Sequence, residues 1–354
     1  MITQVRLKNF KCFKNVQVKL DPLTALVGEN DTGKSAFLQA IKLVSIVGQL
    51  SRVKLSETGK YGLPLAQPVV WKALPDAKLT IGIAGEGRGE ARIGCEVGGK
   101  DASFSFQAVV PLAEKTDEGL AKQKEAVNEA TDTVSCAVGK AEYYAFRAED
   151  LRKPSSITDT GIFGSLKEGT SMSPSGVGFP TFLEDLLRSD RKAFAEMEAQ
   201  FNERFPDYHI ELPKEKGNNT IVFRTSDGQK LPSENVSDGA MLFLAFLAVT
   251  HQPDPPRVLM IEEPENGVHH ARLRDIVDAL KNLVDLRKAQ VLITTHSPYL
   301  LDLVEPENVR VFSKGKDGDV HVKKLSEYPQ ADQMKQHFMT GEIWTELSEE
   351  AQPK

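Results

Sequence analysis

The chain has 354 residues, 27% of them charged and 40% hydrophobic, with a formal net charge of −6. This is an ordinary globular composition, long enough for a large core and for about two domains, or one domain with an insertion. The acidic balance excludes a strongly basic nucleic-acid or membrane surface over the whole molecule and leaves at most a local basic patch.

The opening "MITQVRLKNFKCF" alternates like a strand and does not resemble a signal peptide, and no apolar run approaches the roughly 18 residues of a membrane span. A cytoplasmic protein is expected. "ITQVRLKNF" and "NVQVKLDPLTALVG" read as two strands leading to a third that ends at Val27. From Lys34 to Gln49 the apolar residues Ala36, Phe37, Ala40, Ile41 and Val44 fall at helical spacing. Lys78 to Val110 changes to short alternating strands with Gly-rich turns, which predicts an antiparallel sheet. Leu112 to Ala137 is polar and weakly helical, "EYYAFR" reads as a strand, and Lys153 to Phe179 reads as a long Ser/Gly/Pro-rich loop. Helical periodicity returns over Thr181 to Phe205. Strands near "YHIEL" and "TIVFR" follow, then a helix over Asp238–Thr250, an apolar strand over Arg257–Ile261, a helix over His270–Leu286 and an apolar strand over Gln290–Thr294. That alternation predicts a mostly parallel sheet covered on both faces. The three cysteines, Cys12, Cys95 and Cys136, have no metal-ligand spacing and are expected as reduced thiols.

Four segments carry chemistry. Gly28-Glu29-Asn30-Asp31-Thr32-Gly33-Lys34-Ser35 matches G-x-x-x-x-G-K-[ST] in full and stands between a predicted strand and a predicted helix, the context the motif requires. Its backbone amides and helix N-terminus would cradle the phosphates of ATP, Lys34 would reach the β- and γ-phosphates, and the Ser35 hydroxyl would bind Mg²⁺. "RVLMIEEPENGVHH" ends an apolar strand in Glu262 and Glu263, where such sheets present ligand-binding carboxylates. Glu262 would hold Mg²⁺ and Glu263 would polarise the water that attacks the γ-phosphate; the bland alternative is a solvated acidic turn. "VLITTHSPYLLDL" delivers His296 at the end of a buried strand, placed to sense a γ-phosphate, whereas an isolated histidine is more often structural. "ENVSDGAMLFLAFLAV" opens an apolar helix with Ser237, Asp238 and Gly239. Ser237 is a plausible N-cap, and the same helix end could offer donors to a γ-phosphate. The phosphate loop already has its own helix, so this second free helix end is expected to address another protomer's nucleotide.

Phosphate loop, Ser-Asp-Gly, "IEEPENGVH" and "ITTHSP", in this order, resemble the ABC-type ATPases of the SMC/RecF branch, specifically compact bacterial ATPases related to the nucleotide-binding part of OLD-family proteins. "VRLKNFKCFKNVQVKL" is similar to that group's entry strands, and the match is weakest over about residues 50 to 140. The resemblance implies an α/β P-loop NTPase fold, a mixed or parallel sheet core flanked by helices with an antiparallel β subdomain. The expected divisions are 1–50 with the phosphate loop, 51–150 as the β subdomain with its polar excursion, 151–230 as a loop and helical lobe, and 231–354 with the remaining motifs. It also implies a homodimer sandwiching two ATP molecules, with Glu263 catalytic, Ser237 and Gly239 acting in trans, Glu265-Asn266-Gly267 as the interface turn and His296 as the switch histidine. Glu262 stands where many P-loop enzymes have Asp, and His270 where the related pattern often has Pro. Gln67 is the candidate Q-loop glutamine and a further metal ligand; Arg147 is a candidate nucleotide or interface contact.

The function expected from this combination is a Mg²⁺-dependent ATPase switch that dimerises around ATP and signals to a separately encoded effector, a nuclease or toxin in antiphage defence by family analogy. The alternative is a RecF-like repair ATPase that binds DNA or RNA directly; no long coiled coil or strongly basic stretch marks it. A transporter ATPase would hold phosphate loop and signature closer together. A fused OLD-type nuclease would need an acidic metal-binding domain, for which the roughly 50 residues after the last strand-helix unit leave no room.

Overall fold

The computed structural model describes residues 1–50, 78–85, 90–98, 101–109, 140–156 and 172–350. Gln67, Cys136 and the polar stretch 112–137 lie outside the described residues. In chain order the first seven strands are β1 (Ile2–Phe10), β2 (Phe13–Lys19), β3 (Leu23–Gly28), β4 (Lys78–Gly85), β5 (Glu90–Gly98), β6 (Asp101–Val109) and β7 (Ala141–Tyr144). They are followed by β8 (His209–Glu211), β9 (Lys214–Glu215), β10 (Asn218–Asn219), β11 (Val222–Arg224), β12 (Lys230–Pro232), β13 (Val258–Glu262), β14 (Gln290–Thr294), β15 (Val309–Lys314) and β16 (Val320–Lys324). The principal helices are α1 (Lys34–Leu50), α2 (Phe179–Ser189), α3 (Arg191–Asn202), α4 (Asp238–His251), α5 (His270–Arg287) and α6 (Thr340–Glu350).

The chain divides into two units: unit 1 comprises Met1–Glu142, Pro256–Met260 and Ala289–Lys354, and unit 2 comprises Tyr143–Pro255 and Ile261–Lys288. Unit 1 carries an antiparallel sheet of order β2-β1-β4-β5-β6. Its alternation is the sequence's own: Val5 and Leu7 face Val18 and Val16 across the first ladder, and all four are buried. A six-stranded sheet, β16-β15-β3-β14-β13-β7, has β14 and β15 both parallel to β3. β3 is buried throughout because neighbours flank it on both edges and α1 packs on it through Phe37, Leu38, Ile41 and Val44.

Buried polar groups tie these layers together. Gln290, 1% exposed, exchanges hydrogen bonds with the backbone of Ile2 (2.9 and 2.8 Å) and donates to the Asp21 carbonyl at 3.1 Å. Arg310, equally buried, donates to the carbonyls of Lys19 and Glu307 at 2.7 Å each and pairs with the Asp21 carboxylate. Each satisfies acceptors that burial would otherwise leave without partners.

Unit 2 is built around α4, whose residues Ala240 to Thr250 are all buried. Phe201 of α3 stacks on Phe243 and Phe205 of the following turn packs tilted against it, with ring centroids 6.3 and 6.2 Å away, and Phe223 joins them. A helix apolar on every side is a core helix, and the residues that open it, Ser237 and Asp238, are exposed.

The helical periodicity expected over Thr181–Phe205 resolves into two helices. Asp190 breaks it with φ −148° and ψ 87°, and its carboxylate accepts from the amides of Lys192 and Ala193 to start α3. The strand expected over "EYYAFR" stops at Tyr144, because the amides of Ala145 and Arg147 turn to the carbonyls of Pro174 and Ser175. The sheet also contains β15 and β16, beyond the strands predicted from the sequence. Among the described residues no helix is long and apolar enough to cross a membrane.

Candidate functional site

The phosphate loop leaves β3 at Gly28 and enters α1 at Lys34. Three contacts shape it. The Thr32 hydroxyl, buried, donates to the Glu29 carbonyl at 2.8 Å and closes the loop. The Lys34 ammonium, 6% exposed, donates to the carbonyls of Gly28 and Glu29 at 2.8 Å each, so its charge is held inside the loop. Gly33, with φ +92°, lies so close to Cys12 and Phe13 that a Cβ would stand 2.5 Å from the Cys12 sulfur. Beneath the loop, Phe13, Phe37 and Phe312 pack edge to face with centroids 5.7 to 6.5 Å apart. Glu29, Asn30, Asp31 and Ser35 are exposed; Asp31 has φ +64° and pairs with Lys314 at 2.9 Å. Burial raises the pKa of the Cys12 thiol, so it stays protonated beside the loop.

His296 belongs to the same unit. Thr294 of β14 pairs with Leu26 of β3, and the Thr295 amide donates to the Leu26 carbonyl at 3.1 Å. That register brings His296 out beside the point where β3 opens into the phosphate loop.

Unit 2 carries the two carboxylates and the Ser237-Asp238-Gly239 segment. Glu262 ends β13; its Oε1 is buried with no hydrogen-bond partner, while its carboxylate accepts from the Tyr143 hydroxyl. Burial first, and Glu262 second, push the Tyr143 pKa far up, so the phenol remains a donor. Glu263 has φ +45°, a left-handed backbone that a non-glycine residue adopts only under strain. The turn after it holds the geometry: the Asn266 side chain donates to Glu263 Oε2 at 2.6 Å and the Asn266 amide to the Glu263 carbonyl at 3.0 Å.

Ser237 N-caps α4, accepting from the Ala240 amide at 3.3 Å. Gly239 lies against the Gly267 carbonyl, and Gly267 against Leu242, so the signature and the Glu265-Asn266-Gly267 turn are packed together. α5 begins at His270, as expected, and His269 caps it, accepting from the Ala271 amide at 3.3 Å. Arg147 is exposed.

Against known proteins, a family model described as "AAA ATPase domain" matches residues 1–60, and one described as "AAA domain, putative AbiEii toxin, Type IV TA system" matches residues 175–302. The first span contains the phosphate loop; the second contains Ser237–Gly239, Glu262, Glu263 and His296. An OLD nuclease from Thermus scotoductus is 46% identical over 44 residues, 12% of this chain and 8% of its own. An ATP/GTP phosphatase from Helicobacter pylori is 22% identical over 341 residues, 86% of this chain and 88% of its own. The fold is shared with an SMC head crystallised with the C-winged helix domain of ScpA (TM-score 0.57, 16% identity, 94% of this chain and 99% of that one). It is shared also with a Pyrococcus furiosus SMC head with an extended coiled coil (TM-score 0.52, 14% identity, 98% and 99%). The chain has an α/β P-loop NTPase fold, and two of its segments are matched by ATPase-domain family models. The span matched to the OLD nuclease is a small fraction of that protein, so its likeness to this chain concerns one segment.

Two residues of the candidate site lie outside the motifs. Tyr143 lies in the "EYYAFR" alternation but carries no motif, and Arg152 donates to the carbonyls of Ser233 and Val236 from 81 and 84 positions away. Tyr143→Phe removes the Tyr143 hydrogen bond to the Glu262 carboxylate. A Mg²⁺ titration of ATP turnover is expected to shift to about tenfold higher metal, the usual scale for losing an orienting partner of a metal-binding carboxylate. An unshifted titration would mean that Glu262 does not meet the metal.

Proposed function

We propose that the chain is an ATP-driven dimerisation switch. ATP is held by Lys34 and Ser35 of one copy and completed by Ser237 and Gly239 of a second; hydrolysis through Glu263 reopens the pair, and His296 reports whether a γ-phosphate is present. Glu262, with Ser35, would hold Mg²⁺, which would shield the phosphates' charge. The buried, unpartnered Glu262 Oε1 suits that ion, and among the described residues no cluster of three or more His, Cys, Asp or Glu side chains would hold a metal alone. Such an ion would take its remaining ligands from phosphates and water. Gln67 stays proposed as a further ligand.

The observation that carries this reading is Glu263: a carboxylate next in sequence to the metal-suited Glu262, on a strained backbone, steered by Asn266. Strain of that kind persists where function requires the geometry. The phosphatase relative supports hydrolysis, and the SMC heads and the toxin-system family model support a partner protein, which we propose is a separately encoded effector such as a nuclease or toxin in defence.

The test is the mass of the protein in solution. With Mg-ATP the Glu263→Gln variant should sediment as a dimer, and with ADP or without nucleotide as a monomer. A variant that is monomeric in every condition contradicts the switch. Turnover stimulated by DNA, and lost steeply as salt rises, would replace the effector reading with direct DNA binding.

A further inference from the structure

Arg152 sits at the end of the helical turn Ala148–Leu151 on a fixed base. Leu151 is fully buried, Gly176 packs so tightly against it that a Cβ there would stand 2.5 Å from the leucine side chain, and the Arg147 amide bonds the Ser175 carbonyl at 2.9 Å. From this base the guanidinium reaches the approach to α4. Its Nε donates to the Ser233 carbonyl at 2.9 Å, its Nη2 to the Val236 carbonyl at 2.7 Å, and the same Nη2 pairs with Asp238 Oδ1 at 2.6 Å. The arginine side chain is 15% exposed and the aspartate 63%, so the pair joins an anchored cation to a carboxylate open to solvent.

The charge arrangement calls for such a partner. Asp238 is the first residue of α4, where a carboxylate favours the helix by complementing its dipole. The same negative charge stands between Ser237 and Gly239, the donors assigned to a second copy's γ-phosphate, and it would repel that phosphate. An unrestrained Asp238 could also turn onto the free amides of the first helical turn and occupy them itself. A guanidinium that holds the carboxylate aside removes both obstacles, and its two carbonyl contacts fix the segment that presents Ser237.

We propose that Arg152 is a positioning residue for the composite site: it neutralises and restrains Asp238 so that the end of α4 accepts the nucleotide of a second copy. The inference rests on the switch reading above.

The experiment uses the full chain carrying Glu263→Gln, measuring dimer formation against ATP by sedimentation and ATP-analogue binding at protein concentrations too dilute to dimerise. Adding Arg152→Gln should weaken ATP-dependent dimerisation by about tenfold or more, the scale of one lost charge-assisted contact, with monomer nucleotide affinity unchanged. Adding Asp238→Asn to that variant should recover part of the lost dimerisation, because the charge needing neutralisation is gone while the two carbonyl contacts stay absent. Arg152→Lys, the variant to rely on should the glutamine fail to fold, keeps the charge without the fork and should fall between parent and Arg152→Gln. An Arg152→Gln protein that dimerises like its parent overturns the inference, and so does an Asp238→Asn change that restores nothing. A parent that never dimerises with ATP overturns the switch reading itself, and the inference with it.

Discussion

Glu263→Gln is expected to lower ATP turnover by about 10²–10⁴-fold, the usual contribution of a positioned general base, while ATP affinity stays within about threefold. The substitution is nearly isosteric. The glutamine carbonyl can accept from Asn266 Nδ2 as Glu263 Oε2 does at 2.6 Å, and the backbone strain at φ +45° is the same in both proteins. What disappears is the negative charge and the ability to take a proton. Phosphate release under saturating Mg-ATP measures the first quantity, and equilibrium binding of an ATP analogue measures the second. Turnover at the parent rate would remove Glu263 from the chemistry and leave its strained backbone without an account.

Gly28→Ala should cost the protein both stability and nucleotide. A Cβ at Gly28 would stand 2.2 Å from the carbonyl oxygen of Phe312, and the backbone there has φ +146°. Phe312 is the register partner of Gly28 in the β15–β3 ladder, so the obstructing atom cannot move without opening the sheet. Overpacking of this kind costs roughly 1–3 kcal/mol and the backbone strain a similar amount. The Gly28 carbonyl also accepts from the Lys34 ammonium, so displacing it disturbs the group assigned to the β- and γ-phosphates. Thermal unfolding should begin at lower temperature and ATP affinity should fall by more than about tenfold, as for a loss above 1.4 kcal/mol. Gly318→Ala is the control: its φ of +83° is also left-handed, but nothing lies within 4 Å of the added atom, and binding should be unchanged. Equal effects at the two positions would mean that backbone conformation, not the Phe312 contact, sets the loop.

What was legible in the sequence was what is local. The phosphate loop spells out its turn in Gly28 and Gly33 and its helix in Phe37 and Ile41, and buried strands ending in Glu262 and His296 announce themselves by apolar runs. The break at Asp190 was hidden because helical periodicity continues on both sides of it; only the capping role of the aspartate interrupts it. β15 and β16 are short alternating strands beside polar turns, a weak signal without their sheet partner β3. The hydrogen bonds of Tyr143 and Arg152 join residues far apart in the chain, and nothing in either neighbourhood encodes the partner. The Asn266 contact lies only three residues from Glu263, yet it depends on the left-handed turn that the glutamate itself makes.

The all-round burial of α4 bears on how the protein comes to be active during synthesis. A helix without a polar face gains little by forming in water; it becomes stable only as Phe201, Phe223 and the other residues of its surroundings close over it. Ser237 and Gly239 are therefore presented in their final geometry only when unit 2 has finished packing. An incompletely folded copy would have no ordered helix end to offer a neighbour. Under the proposed pairing, the composite site then acts as a check on assembly, admitting to the dimer only chains whose unit 2 has matured.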